Sequence, residues 1–222
     1  MILLSIDTSG PSGSIALARC EVADCAIIET HSLQGGNFSA QLVPEIAALL
    51  AKHGIDKKSL GGFAVVSGPG SFTGLRVGLA AIKGLAEILE KPIAAVSLLA
   101  AVASVAGVQG RVIAVLDAGR RQAFTGDYEI GANSVVCKEE CLLWWEELGA
   151  YGGGRITVTP DRAVVEVLHA NGTACSEIER PRADAIARVG WRKLVAGLAS
   201  SVADLEANYL RRTDAEILLQ SK

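Results

Sequence analysis

The sequence predicts an α/β protein built from two duplicated modules, of which the second is reduced. The first half has the order three strands, helix, strand, helix, strand, helix. A strand that ends in Asp opens each half, at Ile2–Asp7 and at Arg111–Asp117. We therefore expect a first module over residues 1–106, a second over residues 107–199, and a tail over 200–222 that can pack back on the first module.

The strands of the first module are recognised from short apolar runs bounded by turn residues. Ile2–Asp7, Ser14–Ala18 and Ala26–His31 are joined by short turns, which favours a meander. Two further runs, Phe63–Val66 and Ile93–Val96, are each followed by a helical pattern.

Two of the predicted helices, Ser39–His53 and Thr73–Glu90, carry more apolar surface than one sheet can cover. The charged residues of the second helix lie on one narrow stripe, and the rest of its circumference is apolar or small. These charged residues are Arg76, Lys83, Glu87 and Glu90. Since a helix on its own sheet needs only about a third of its surface apolar, both helices are expected to be covered on a second side. A shorter third helix is predicted over Ser97–Ala106.

The second module has a weaker pattern. Gln122–Ile130 continues it as a strand, and a polar helix is predicted around Lys138–Leu148. A short strand at Ile156–Thr159 and a helix near Arg182–Leu198 complete it.

Composition excludes several classes of function. The 222 residues are 50% hydrophobic with a net charge of −3, so the chain offers no broad basic surface for gripping nucleic acid by itself. The opening apolar run ends at Asp7, which argues against a secretory signal and favours a cytoplasmic protein. The uncharged stretch Ile93–Gly110 is short for a membrane span and is interpreted as core. Five cysteines without metal-ligand spacing favour reduced thiols.

The segment Ser67–Gly78 is a glycine-rich corner between a strand and a helix. It lacks the Lys of a phosphate loop, and its glycines do not follow the dinucleotide spacing. A tight turn is therefore the favoured interpretation, and anion binding at the free amides of the helix is the alternative. The residues of a vestigial nucleotide or anion site would be Asp7, Thr8, Ser9, Gly68, Gly70, Ser71 and Asp117.

Duplicated modules with an Asp at the end of the first strand resemble the actin, Hsp70 and sugar-kinase superfamily. Within it, four segments of the chain closely resemble the TsaB (YeaZ) family. They are Ile6–Ser9, Gly68–Arg76, Leu116–Ala118 and Tyr209–Glu216. Two positions depart from the family pattern, Phe38 in place of a frequent His and Gly119 within an Asp-Ala-Arg motif.

The resemblance implies an accessory protein for threonylcarbamoyladenosine at position 37 of tRNA, paired with a catalytic paralogue, TsaD, and with the ATPase TsaE. That paralogue has a His-x-x-x-His metal motif after the strand that follows its glycine corner. The equivalent positions here are Leu98 and Val102, which cannot ligate a metal. We therefore expect no catalytic residue, no metal and no required cofactor in this chain, with weak nucleotide binding left open.

The leading hypothesis is a non-catalytic scaffold whose two apolar helices dock TsaD, or a second copy of the chain as a homodimer, with tRNA reached only through the complex and no membrane contact. The predicted interface residues are Leu42, Ile46, Leu49, Leu50, Gly74, Val77, Gly78, Ala81 and Leu85. The alternatives are an ATP-dependent small-molecule kinase that uses Asp7 and Asp117, and a self-associating protein without a connection to tRNA.

Overall fold

A computed structural model describes residues 1–22 and 24–211. Its strands form two five-stranded sheets with the orders β3-β2-β1-β4-β5 and β10-β9-β6-β7-β8. In each sheet the first three strands form an antiparallel meander, and the later strands run parallel to the first. The predicted duplication is therefore confirmed strand by strand.

The first half of the chain contains the strands and helices that the sequence predicts, with boundaries shifted by a few residues at most. The strands are β1 (Ile2–Asp7), β2 (Gly13–Glu21), β3 (Asp24–Leu33), β4 (Leu60–Gly68) and β5 (Ile93–Ser97). The helices of this half are α1 (Phe38–Lys52), α2 (Phe72–Leu89) and α3 (Leu98–Ser104).

The second sheet departs from the sequence expectation between β7 and β9. Its strands are β6 (Gly110–Gly119), β7 (Gln122–Ile130), β8 (Val135–Trp144), β9 (Ile156–Thr159) and β10 (Ser176–Glu177). The helices of the second half of the chain are α4 (Leu148–Gly152), α5 (Arg162–Ala170) and α6 (Ala183–Val195). The sequence did not indicate α5.

The polar helix predicted around Lys138–Leu148 is wrong, because most of this segment is strand β8. Its charged middle suggested an exposed helix, but β8 is the edge strand of the second sheet, where charged side chains are common. A turn closed by the Gly131 amide and the Ser134 carbonyl, 3.0 Å apart, sets its pairing with β7. Cys137 and Cys141 therefore lie on a strand and not on a helix.

The core of the first half has two sides, which follow the alternation of side chains along the strands. Helices α1 and α2 pack on one side, against Leu4 and Ile6 of β1 and Phe63 of β4. Helix α6 packs on the other side, where Ser5 donates a 2.6 Å hydrogen bond to the carbonyl of Ala183. Residues 183–195, which the expected division assigns to the second module, thus lie on the sheet of the first, and the division itself stays a prediction.

The described part of the tail lies against the first sheet. The Ser200 amide donates to the Ile93 carbonyl at 2.8 Å, and Leu205 is buried in the core shared with α1 and α2. Residues 212–222, which include part of the Tyr209–Glu216 motif, lie outside the described residues.

Two further expectations concern the uncharged stretch and the cysteines. Most of Ile93–Gly110 forms β5 and α3, and both elements are mostly buried, so the interpretation of this stretch as core is confirmed. Within the described residues, no helix is long and apolar enough to span a membrane.

Cys20 and Cys25 face each other across β2 and β3 and form a disulfide, whereas reduced thiols were expected.

Candidate functional site

A cleft of about 1010 Å³ opens where strands of both sheets end. The turn after β1 contributes Ser9, and the glycine corner after β4 contributes Gly70 and Ser71. Asp117 at the end of β6 and Asp161 after β9 line it from the second half. Ligands of open α/β sheets bind at the carboxyl ends of strands, so this cleft is the candidate ligand site.

The glycine corner is held by contacts within the chain. Ser71 caps α2, since its Oγ accepts from the Gly74 amide at 3.3 Å, and its own amide donates to the Ser9 carbonyl at 2.7 Å. A methyl group on Gly74 would lie 2.0 Å from the Thr8 carbonyl oxygen, so only glycine allows this approach. These contacts support the tight-turn interpretation.

The first strand ends on a carboxylate that faces the protein interior. Oδ1 of Asp7 accepts hydrogen bonds from the Ser9 amide at 2.8 Å and the Ser9 hydroxyl at 2.6 Å, and Asp7 is only 5% exposed. Burial raises the pKa of Asp7 despite these hydrogen bonds. Thr8 is also buried and donates to the Gly74 carbonyl at 2.8 Å. Asp7 and Thr8 therefore stabilise the turn after β1.

The cleft wall of the second half carries two carboxylates, Asp117 and Asp161, and two arginines, Arg120 and Arg180. The Asp117 amide donates to Oδ2 of Asp161 at 2.7 Å, and Oδ1 of Asp117 accepts from the Gly119 amide at 2.7 Å. Arg180 lies 3.4 Å from Oδ1 of Asp161. The sequence prediction missed Asp161 and Arg180. The duplication could have indicated Asp161, because it lies between β9 and α5 as the glycine corner lies between β4 and α2.

Of the seven residues expected in a vestigial nucleotide or anion site, four line the cleft and three do not. Ser9, Gly70, Ser71 and Asp117 line it. Asp7, Thr8 and Gly68 are not among the lining residues and are buried behind it.

The nine residues of the predicted interface divide by exposure. Six of them are buried within the chain's own core or against the turn after β1, and they are Leu42, Ile46, Leu49, Leu50, Gly74 and Gly78. Val77, Ala81 and Leu85 on α2 are partly exposed. Further apolar residues of the two helices are exposed to solvent, among them Val43 and Ala47 on α1 and Ile88 on α2.

A polar cluster around Glu140 of β8 joins the two halves behind the cleft. Oε1 of Glu140 accepts hydrogen bonds from Ser97 of the first sheet and Tyr128 of the second. Oε2 accepts from Nδ2 of Asn208 in the tail at 2.7 Å. Burial and the Glu140 charge raise the pKa of Tyr128. Sequence reasoning missed this cluster because it assigned residue 140 to a helix.

The positions that correspond to the paralogue's metal motif lie in the core. Leu98 and Val102 of α3 are both 0% exposed and pack between the two sheets. Their side chains fill apolar space and offer no donor atom.

The cleft and the repeated strand order place the chain in the actin, Hsp70 and sugar-kinase fold class. YeaZ from Pseudomonas aeruginosa has this fold, with a TM-score of 0.77 at 24% identity over 94% of this chain and 99% of that one. The family model described as TsaD, tRNA N6-adenosine threonylcarbamoyltransferase, matches residues 28–204.

Curated relatives define the family more closely. The tRNA threonylcarbamoyladenosine biosynthesis protein TsaB of Bacillus subtilis is 31% identical in an alignment that covers 97% of this chain and 96% of that protein. TsaB of Escherichia coli is 29% identical over 63% of this chain and 60% of its own length. The chain belongs to the TsaB (YeaZ) family, a branch of the family that the TsaD model describes. The resemblance drawn from the sequence is confirmed.

Proposed function

We propose that this chain is a non-catalytic subunit of tRNA threonylcarbamoyladenosine synthesis, which pairs with a TsaD-type transferase and supports a TsaE-type ATPase. The names of its relatives support a role in making this modification. The observation that carries the subunit role is the uncovered apolar face of α1 and α2.

This apolar face combines side chains that are exposed to solvent with side chains that are only partly buried against the core of the first half. Val43 of α1 is 59% exposed and Ile88 of α2 is 81% exposed, and the partly exposed Val77 and Leu85 lie on the same pair of helices. Apolar patches that a monomer leaves in water mark interaction sites. We name the exposed residues Val43, Ala47 and Ile88, together with the partly exposed residues Val77, Ala81 and Leu85, the docking face.

A TsaD-type transferase is the partner that this face fits. The TsaD family model covers residues 28–204, so the transferase has counterparts of both helices. Two helix pairs of like pattern can pack as a four-helix arrangement. Without the transferase, the same face would pair with a second copy of the chain as a homodimer.

The non-catalytic part of the proposal is supported by the side chains at the paralogue's metal positions. Leu98 and Val102 are apolar and buried, and transition metals require imidazole, thiolate or carboxylate donors. We expect no cofactor requirement for this chain and contact with tRNA only through the complex.

The alternative of a small-molecule kinase has one observation in its favour, a cleft lined by Asp117 and Asp161. Against it, Asp7 is buried and both hydrogen bonds to its Oδ1 come from Ser9. We expect weak nucleotide binding at most and no phosphoryl transfer. Calorimetry with Mg–ATP distinguishes the kinase from the non-catalytic subunit. Tight binding of Mg–ATP that Asp117→Ala abolishes would favour the kinase.

Sedimentation with the purified TsaD homologue tests the subunit role directly. We expect a complex with the wild-type chain and none with Val77→Asp or Leu85→Asp, while melting temperatures confirm folding. Val136→Asp places the same charge at an exposed site on β8 and should leave the complex intact. Complex formation by all variants would overturn the docking face. Failure of the chain to raise modification of tRNA by TsaD and TsaE would overturn the role itself.

A further inference from the structure

The described end of the chain crosses from one sheet to the other. We name residues 205–211 the C-terminal strap. The Asn208 amide donates to the Ser67 carbonyl of β4 at 2.7 Å, and its side chain donates to Glu140 of β8 at 2.7 Å. Arg211 donates to the Gly119 carbonyl at 3.3 Å and to Oε1 of Gln122 at 2.8 Å. The strap therefore ties the first sheet to the second along the cleft that Asn208 and Arg211 help to line.

The approach of the strap depends on the glycine corner. Gly68 has a φ of 140°, a value that L side chains rarely adopt. A methyl group there would lie 2.4 Å from the Asn208 carbonyl oxygen. The absence of a side chain at residue 68 thus leaves room for the strap, and its φ independently favours glycine.

Tyr209 lies between the two anchoring residues of the strap and faces the first turn of α2. Its ring stacks on Phe72 with centroids 5.0 Å apart and an interplanar angle of 30°. Its hydroxyl accepts a 3.3 Å hydrogen bond from Nε of Arg76, whose guanidinium carbon lies 3.7 Å from the Phe72 ring centroid. Tyr209 and Phe72 are nevertheless 39% and 40% exposed, so this aromatic cluster still offers surface to a partner.

The aromatic cluster continues the docking face. Residues four apart on a helix lie on one row, and Phe72, Arg76 and Ala80 are exposed along such a row of α2. The neighbouring row carries Val77, Ala81 and Leu85 of the docking face. A helix laid on the second row would therefore meet the cluster at the start of α2.

We propose that Tyr209 is part of the surface that binds the TsaD-type partner, so that partner binding holds the C-terminal strap across the cleft. The inference rests on the proposed function. Tyrosine and arginine are the residue types that most often anchor interfaces, and here Phe72 and Arg76 fix the tyrosine before the partner arrives. Partner binding at Tyr209 would also restrain the strap, because Tyr209 directly follows Asn208, which joins the two sheets.

Affinity for the TsaD homologue tests the contact. We expect Tyr209→Ala to weaken binding by about five-fold or more, as for an anchor worth over 1 kcal/mol. Tyr209→Phe keeps the ring stack and should bind within about two-fold of wild type. Val136→Ala, an exposed site on β8, is the matched control. Unchanged affinity for Tyr209→Ala, with Val77→Asp still abolishing binding, would overturn this inference and leave the proposed function standing.

Hydrogen exchange of the full chain tests whether partner binding restrains the strap. Saturation with the TsaD homologue should slow exchange of the amides of residues 205–211 in wild type, and above all that of Asn208. In Tyr209→Ala the slowing should be lost even when the partner is added to saturation. Equal protection in both proteins would overturn this restraint of the strap. Absence of any binding by the wild-type chain would overturn both this inference and the proposed function.

Discussion

Oδ1 of Asp7 accepts hydrogen bonds from both the amide and the hydroxyl of Ser9, at 2.8 and 2.6 Å. Asp117 repeats half of this arrangement, because its Oδ1 accepts from the Gly119 amide at 2.7 Å. Each Asp thus closes the turn after the first strand of its sheet with the amide two residues on, as Asp side chains often do. The two carboxylates differ in surroundings, since Asp7 is buried and Asp117 is exposed and lines the cleft.

The buried carboxylate gives a testable pH dependence of stability. Burial raises the pKa of Asp7 in the fold above its value of about 3.9 in an unfolded chain. The fold therefore binds more protons than the unfolded chain between the two pKa values. The stability linked to this proton is present below about pH 3.9 and is lost as the pH rises through the folded pKa.

Asp7→Asn keeps an oxygen that accepts from Ser9 and removes the charge. We expect this variant to unfold at pH 7 at the same urea concentration as wild type or a higher one, with a weaker decline in stability as the pH rises through the folded pKa of Asp7. Urea unfolding at several pH values measures both. A large loss of stability at pH 7 would show that the fold stabilises the ionised carboxylate, which would contradict the raised pKa of Asp7.

The first half of the fold could be predicted from the sequence because each of its elements has a distinct local pattern. Ile2–Asp7 is a buried apolar run that ends on a polar turn, and Ser71 begins α2 as a hydrogen-bonded cap. In β8 the local pattern misleads. Lys138, Glu139 and Glu140 resemble an exposed helix, and only pairing with β7, which sequence periodicity does not encode, makes this segment a strand.

The candidate site was predictable where a single segment forms it and not where distant segments meet. Gly70 and Ser71 of the glycine corner, which the sequence analysis singled out, line the cleft. The pairing of Asp117 with Asp161 joins residues 44 apart, and that of Glu140 with Asn208 joins residues 68 apart. For α1 and α2, the excess of apolar residues was visible, but Leu42 and Ile46 look the same in sequence whether they face the sheet or a partner.

Removal of the Glu140 carboxylate should loosen the junction between the sheets. Tyr128 is 1% exposed and donates to Glu140, so Glu140→Ala leaves its hydroxyl with Ser97, 3.3 Å away, as its remaining hydrogen-bond contact. A hydrogen bond to a charged group contributes about 1.5–3 kcal/mol, and we expect a loss of about this size in urea unfolding. Lys138→Ala, on the same strand and exposed, is the control and should change stability by less than about 0.5 kcal/mol. Equal midpoints for the two variants would contradict a role for this cluster.

Asp127 should contribute more to stability than any exposed ion pair of the second half. Its side chain is 5% exposed and binds Arg111 through Oδ1 at 3.2 Å and Oδ2 at 2.6 Å, while Arg155 also donates to Oδ2. Hydrogen bonding and the Asp127 charge raise the pKa of Arg111. Asp127→Ala removes the shared acceptor of both guanidinium groups from strand β7.

Breaking a buried ion pair costs about 3–5 kcal/mol, and we expect the lower end here because both arginines keep some contact with water. Glu166→Ala breaks a 3.4 Å pair with Arg162 that is exposed on α5, and exposed pairs contribute about 0–1 kcal/mol. Urea unfolding of both variants measures the difference between these two losses of stability. A midpoint for Asp127→Ala as high as that for Glu166→Ala would show that the second sheet does not depend on this carboxylate. A clear separation would show that the second sheet depends on the contacts of this carboxylate with the two arginines.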